Sequence, residues 1–320
     1  MKAKISGNII LLFCLSACSF MVFTSCVKSN VPSTSTNTNT LKSIIANSSN
    51  ATLLDTALTR SGLDSLYTYG GPFTFFVATD EAFLLSGITT SVFDSLPDSL
   101  LKKIILYNTL YPAVISSQLP IGPDASVMTT SGDSVFITNN GTGVYINGIQ
   151  VESFDLSVNN GLIDAVAKLV LPPAGTILQI AQADTSFSYF AAAVARASAG
   201  ETNVGNVLSN GNIYTLFLPD NDAFRSAGYA TTTDVTAADP DTLAKVLLYH
   251  ILPKRIFTSD FIISQSQQTL LLNKTVTYGL VGNGVPSVKG YSNTNPTAIL
   301  ASNIMAHNGV IQVIGQFLTP

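Results

Sequence analysis

The sequence predicts an α+β protein built from two tandem copies of one domain, and three observations carry that prediction. Phe73-Thr74-Phe75-Phe76-Val77-Ala78-Thr79-Asp80-Glu81-Ala82-Phe83 returns as Tyr214-Thr215-Leu216-Phe217-Leu218-Pro219-Asp220-Asn221-Asp222-Ala223-Phe224. Two further blocks repeat in the same order: Tyr107-Asn108-Thr109-Leu110-Tyr111-Pro112 with Tyr249-His250-Ile251-Leu252-Pro253, and Asn160-Gly161-Leu162-Ile163 with Asn308-Gly309-Val310-Ile311. Chance matches do not keep their order, and a period of about 140–150 residues is far longer than a solenoid unit, so each copy owns a core. Within each copy, helical spacing comes first and strand alternation second, the mark of an α+β domain.

The chain opens with Lys2 and Lys4 ahead of an apolar run from Ile9 to Phe23. A positive start, a greasy middle and small residues before a cut describe a secretory signal, and the run is short for a membrane span of about 20 residues. The cut resembles a bacterial lipobox. Cys26, at the end of the apolar run, is the expected lipidated residue, with Cys18 in Leu15-Ser16-Ala17-Cys18 as the alternative. Residues 1–25 are thus expected to be a lipoprotein signal peptide, and 26–40 a Ser/Thr/Asn-rich tether too polar to offset the entropy of ordering. As a flexible coil, such a tether holds the first domain roughly 20 Å from the lipid. That domain is expected over 41–173 and the second over 174–320.

In the first copy, Asn50 is expected to cap a helix carrying Leu53, Leu54, Ala57 and Leu58 on one stripe, ended by Gly62. The second copy opens with Ile177, Ile180 and Ala181 and continues through Phe190 to Arg196. The strand at 73–77 is apolar on both faces, and Thr79-Asp80-Glu81 supplies caps for a short helix; Asp220 and Asp222 recur there. Pro97 and Pro240 suit first helical turns, Leu101, Ile104, Ile105 and Leu243, Val246, Leu247 mark buried faces, and Pro112 and Pro253 end those helices. Strands are then expected at Val135–Thr138, Val144–Ile146, Ile149–Ser153 and Leu162–Leu171, and at Thr269–Leu272, Thr275–Leu280, Ala298–Asn303 and Val310–Ile314. Asn147-Gly148 and Asn308-Gly309 read as turns, as do Gly141-Thr142-Gly143 and Gly282-Asn283-Gly284.

Composition narrows function. Charged residues make up 11% of the chain and the net charge is −4 with no basic cluster, which excludes the concentrated Lys/Arg face that nucleic acid requires. All three cysteines fall in the first 26 residues, and the chain has only two histidines, so no disulfide or thiolate metal site serves the domains and no metal or cofactor is expected. No Gly-x-Ser-x-Gly elbow occurs either.

The repeated blocks resemble the hallmarks of the fasciclin (FAS1) domain family: Phe-Thr-x-Phe-x-Pro-Thr-Asn/Asp-x-Ala-Phe at 73–83 and 214–224, a helix ending in Tyr-His-x-Leu-Pro at Tyr249 to Pro253, and a closing Asn-Gly-x-Ile segment at 160–172 and 308–320. The resemblance spans residues 41 to 320 and implies two tandem FAS1-like domains, each a β-wedge or sandwich packed with several helices. It implies a non-catalytic role in adhesion, with partner binding associated with the Tyr-His region, here Tyr249 and His250 and, in the first copy, Tyr107 and Asn108. The sequence departs from the pattern at Asn108 and Ala78, and at Asp164 and Gln312 where a histidine is usual. His250 lies on the helical face of Val246 and Leu247, which points it into or along the core. Tyr67, Tyr69, Tyr111, Tyr145, Tyr229, Tyr278 and Tyr291 fall in or near loops and are candidates for sugar or interface contacts. The expected protein is anchored in the cell envelope, at the outer membrane or cell surface, and binds a protein or polysaccharide partner. The alternative is a glycan- or small-ligand-binding module of an uptake system.

Overall fold

The computed structural model describes residues 39–320, so the signal, most of the tether, Cys18 and Cys26 lie outside the described residues. The first half carries helices at Leu41–Ala46, Thr52–Arg60, Asp64–Tyr69, Asp80–Leu85, Thr90–Ser95 and Asp98–Tyr107. Its strands are β1 (Phe73–Ala78), β2 (Thr109–Leu110), β3 (Gly122–Met128), β4 (Ser134–Asn139), β5 (Val144–Ile146), β6 (Ile149–Val158) and β7 (Gly161–Val166). The second half repeats the plan with β8 (Tyr214–Pro219), β9 (Ile251–Leu252), β10 (Ser266–Gln268), β11 (Thr275–Val281), β12 (Val285–Gly290), β13 (Thr297–Ala306) and β14 (Gly309–Ile314). The sheets run β2-β1-β7-β6-β5-β4-β3 and β10-β11-β12-β13-β14-β8-β9, the same order read from opposite ends. In each, the hallmark strand pairs in parallel with the closing strand, Phe73 opposite Gly161 and Tyr214 opposite Gly309. A parallel partner and packed helices bury both faces, which is why β1 and β8 are apolar except at Thr74 and Thr215, whose hydroxyls donate to Val114 O and Lys254 O.

The closing glycines permit that pairing. Gly161 and Gly309 hold φ of +155° and +149°, and a Cβ on either would strike the carbonyl oxygen of Phe73 or Tyr214. The preceding asparagines do more than turn the chain. Asn160 Oδ1 accepts from Leu41 N (2.9 Å) and its Nδ2 donates to the carbonyls of Tyr67 and Gly70. Asn308 likewise accepts from Ile177 N (2.8 Å) and donates to Leu208 and Asn210. One amide thus ties the first helix of each half, the loop before the hallmark strand and the closing strand together. Asn147-Gly148, with φ of +50° and +75°, forms the two-residue turn between β5 and β6.

Several local expectations are corrected. Asn50 does not cap the helix at Thr52–Arg60, whose cap residue is Ala51; Asp80 reaches across instead, accepting from Leu53 N (2.8 Å) and from the Thr52 hydroxyl. Thr79 and Asp220 cap the short helices directly after them, and Asn221 accepts from Tyr189 N (3.1 Å) as the counterpart of Asp80. Pro97 sits at the cap itself, whereas Pro240 opens its helix. The strand expected over 162–171 stops at Val166, because Leu169 and Val170 bond into the helical layer and the Asn108 corner. Residues 269–272 are a turn after β10, and β3 and β12 are additions to the expected strands, since polar and proline-bearing segments conceal the alternation.

Each half has its own core. Phe75, Phe76, Phe83, Phe93 and Tyr107 centre one cluster in the first half. The second half divides into a helix-side cluster around Phe190, Phe224 and Leu247 and a sheet-side cluster around Phe217, Tyr249 and Tyr278. A small further cluster, Phe257, Met305 and Val310, packs against Phe136 of the first half.

Candidate functional site

The Tyr-Asn and Tyr-His corners close the last helix of each half. Tyr107, Tyr249 and His250 are 0% exposed and Asn108 is 1% exposed. Tyr107 Oη donates to Ser134 O (2.9 Å) and accepts from Asn147 Nδ2 (2.9 Å); Tyr249 Oη donates to Thr275 O (2.7 Å) and accepts from Tyr291 N (2.8 Å). Each tyrosine thus pins the helix end to a strand start, and burial raises both phenols, Tyr107 to about 12.

His250 Nδ1 lies 2.7 Å from Val246 O, an acceptor only, so Nδ1 carries the proton. Nε2 then accepts from Leu318 N at 2.9 Å. Burial lowers the imidazole to about 4, against the pull of the Val246 carbonyl. With both nitrogens bonded to backbone, the ring is a neutral fastener between the helix end and the C-terminal segment. Asn108 fills the same place differently: its Nδ2 donates to Ile104 O and to Val170 O, each at 2.8 Å. None of the four expected partner-binding side chains reaches solvent, so direct contact with a partner is not what this arrangement offers. Their burial results from their place at the junction of helix, closing segment and sheet.

A second matched pair sits at the bulge in the long strand before the closing one. Asp155 and Asn303 hold φ of +58° and +62°. Asp155 accepts from Ser116 N (2.9 Å) and Ser116 Oγ (2.5 Å), while Asn303 accepts from Thr258 N (3.0 Å) and donates to Thr258 Oγ1 (2.9 Å). Asp164 Oδ1 accepts from Asp155 N (2.8 Å), and Gln312 Oε1 from Asn303 N (2.9 Å). Gln312 Nε2 also donates to Ile256 O and Asn303 Oδ1, whereas Asp164 Oδ2 is buried without a partner. Burial raises Asp164 to about 6, the Asp155 N–H opposing and the Asp155 carboxylate adding to the shift.

The halves meet along a seam that no sequence signal marks. Arg255 pairs with Asp124 (3.1 Å), and its guanidinium lies 3.6 Å from the centroid of the Phe136 ring. Thr138 donates to Asp260 (2.7 Å), Asn140 to Ser259 O (2.9 Å) and Asn303 to Gly148 O (3.3 Å). Beside the seam runs an open groove of about 770 Å³, its wall shared by Gln150, Lys168, Leu300, Ser302, Asn303 and Ile304.

Of the tyrosines expected in or near loops, Tyr67 lies within the helix Asp64–Tyr69 and Tyr278 within β11, and both are buried; Tyr278 stacks on Phe261 at 3.9 Å between ring centroids and Tyr67 packs on Phe75 at 4.8 Å. Tyr69, Tyr111 and Tyr291 face solvent, and Tyr145 and Tyr229 are half-buried. His307 is exposed beside Asn308. Among the described residues no group of three or more His, Cys, Asp or Glu is placed to hold a metal ion, and no helix is long and apolar enough to cross a membrane.

The family model of the Fasciclin domain matches residues 49–172 and again 185–320. Similar proteins include transforming growth factor-beta-induced protein ig-h3 of Sus scrofa, 24% identical over 244 residues, 75% of this chain and 33% of that protein. Periostin of Homo sapiens is 25% identical over 81% of this chain and 29% of its own length. Protein sll1483 of Synechocystis is 28% identical over 48% of this chain and 79% of its own. This chain therefore spans about a third of the two animal relatives. A solved FAS1 domain pair from the insect cell adhesion molecule fasciclin I aligns with a TM-score of 0.42 and 15% identity, covering 87% of this chain and 94% of that one. With the hallmark blocks duplicated and two consecutive matches to the domain, the chain belongs to the fasciclin family.

Proposed function

We propose that the chain is a membrane-anchored, non-catalytic binding protein that acts outside the cytoplasm, held through Cys26 (or Cys18) and contacting matrix, a partner cell or an envelope protein. Family membership supports a binding role, and the signal-like N-terminus supports export. One observation supports the non-catalytic part: His250, the histidine of the hallmark block, spends both nitrogens on backbone and has none left to move a substrate proton. Recognition then falls to the outer loops and to the groove beside the seam, where two walls held at fixed geometry offer amide, hydroxyl and apolar contacts.

The test is attachment. Deleting the chain should lower adhesion of the cells that carry it, and immobilised residues 27–320 should retain a surface or matrix component. Unchanged attachment together with an empty pull-down contradicts the proposal. The amide and hydroxyl lining of the groove also suits a sugar, and selective micromolar-to-millimolar binding on a glycan array would move the assignment to an uptake accessory.

A further inference from the structure

One corner of the first half carries an apolar surface that the second half lacks. Leu66, Tyr111 and Met128 are 38%, 62% and 68% exposed and rim an open cavity of about 640 Å³ floored by Phe73 and Leu106. Tyr69, 80% exposed, stands at the end of the helix that supplies Leu66. The other lining residues are Gly71, Thr129 and Thr130, so no charge enters the cavity. The acidic groups on the adjoining segments, Asp64 and Asp133, are ion-paired with Lys42 and Lys103. At the equivalent places the second half exposes Asn210, Pro253 and Gln268.

The same corner is where the tether joins the fold. Asn39 O accepts from Asn159 N (2.7 Å), Leu41 N donates to Asn160 Oδ1, and Asn160 Nδ2 donates to Tyr67 O and Gly70 O, immediately beside Gly71 and Phe73 of the cavity. The tether expected from Val27 onward, as a flexible chain of about 5–6 Å × √n, would keep a lipid on Cys26 within roughly 20 Å of the point where Asn39 joins the fold. Tyrosine rings with a polar tip, next to Met and Leu and without charge, are the side chains that settle at the headgroup boundary of a bilayer.

We propose that this corner is a lipid-docking face: Tyr69, Tyr111, Met128 and Leu66 enter the interfacial region of the membrane that bears the anchor, fixing which side of the domain pair points outward. The proposal rests on the anchor at Cys26, and its partner is the bilayer itself rather than a protein.

The chain contains no tryptophan, which gives a clean reporter. Tyr111→Trp and, separately, Pro253→Trp are placed in the full lipidated chain in phosphatidylcholine vesicles and in residues 27–320, which include the whole compact unit from Asn37 onward. In the anchored chain, Trp at 111 should shift its emission to the blue by about 10 nm and be quenched several-fold by brominated acyl chains, as a ring moved from water to the interface does, while Trp at 253 should do neither. In residues 27–320, replacing Tyr111 and Met128 together by Ser should lower partition into the same vesicles by about 10-fold, on the scale of the apolar area removed. Equal, water-like emission at both positions in the anchored chain overturns the docking face, as does a shift at 111 that requires an added protein or polysaccharide and ignores lipid. If the mature chain carries no lipid on cysteine by mass, the anchor fails, and vesicle binding by residues 27–320 still decides the face on its own.

Discussion

At the corner that ends its last long helix, one half of the molecule uses Asn108 and the other His250, yet both residues cap the helix with the same φ of −86°. Each side chain donates to the carbonyl four residues back, Ile104 or Val246, and each reaches the C-terminal segment, Asn108 by donating to Val170 O and His250 by accepting from Leu318 N. The bulge repeats the lesson with Asp164 and Gln312, which both receive the N–H of a residue at positive φ. An amide and an imidazole, or an acid and an amide, share no acid–base chemistry; what they share is hydrogen-bond reach. The landmarks therefore hold chain segments together, and the two halves differ in how those fasteners respond to pH.

The largest effect should come from removing the space on which the parallel pair depends. Gly309→Ala places a Cβ against Tyr214 O at a φ few side chains adopt, and should cost roughly 4 kcal/mol or more in urea unfolding of the second half, with Gly161→Ala acting alike in the first. If both variants unfold like the parent chain, the paired strands are not packed as described.

Acid should push the halves in opposite directions. A free histidine titrates near 6.5 and His250 near 4, so between those values the unfolded chain holds more protons and falling pH weakens the second half, by about 3 kcal/mol over the window. Asp164 runs the other way: from 3.8 unfolded to about 6 folded, the native chain holds more protons, so its contribution is fully present below the unfolded value and is lost, to a similar extent, as pH rises through about 6. Hydrogen exchange between pH 6.5 and 4 should show amides of the second half losing protection relative to the first. Asp164→Asn should flatten the response of the first half, and a common slope in both halves would break the comparison.

The seam is worth less. Arg255→Ala leaves Asp124 without its partner and Phe136 without its cover, and should cost about 2 kcal/mol and widen the separation between the unfolding of the two halves. Because the halves are bonded across this seam, their surfaces act at one fixed geometry rather than as freely tethered modules. Smallest of all is His250→Asn, which converts one corner toward the other: the bond to Val246 O survives, Leu318 N loses its acceptor, and about 1 kcal/mol should be lost.

The duplication, the apolar hallmark and closing strands, and the α+β order were legible because apolar runs and Asn-Gly pairs repeat in register. Long-range fastening was not. Asp80 reads as the cap of its own helix and serves another, because the acceptor is chosen by the fold rather than by neighbours in sequence. Tyr67 and Tyr278 read as loop residues and are buried, one in a short helix and one in β11, whose polar neighbours hide the inward face in sequence. Arg255 and Asp124 lie in segments without pattern, and only the packing of the two halves brings them together. The cavity at Tyr111 and Met128 was hidden for the same reason, its walls coming from segments far apart in the chain.

A proton NMR titration of the His250 ring, assigned with a His307→Gln variant, tests most directly whether the hallmark histidine is a buried fastener. The ring should remain neutral with the proton on Nδ1 until about pH 4. Titration near 6.5, the value of a solvated imidazole, would place it at the surface and return Tyr249 and His250 to the role of a contact site.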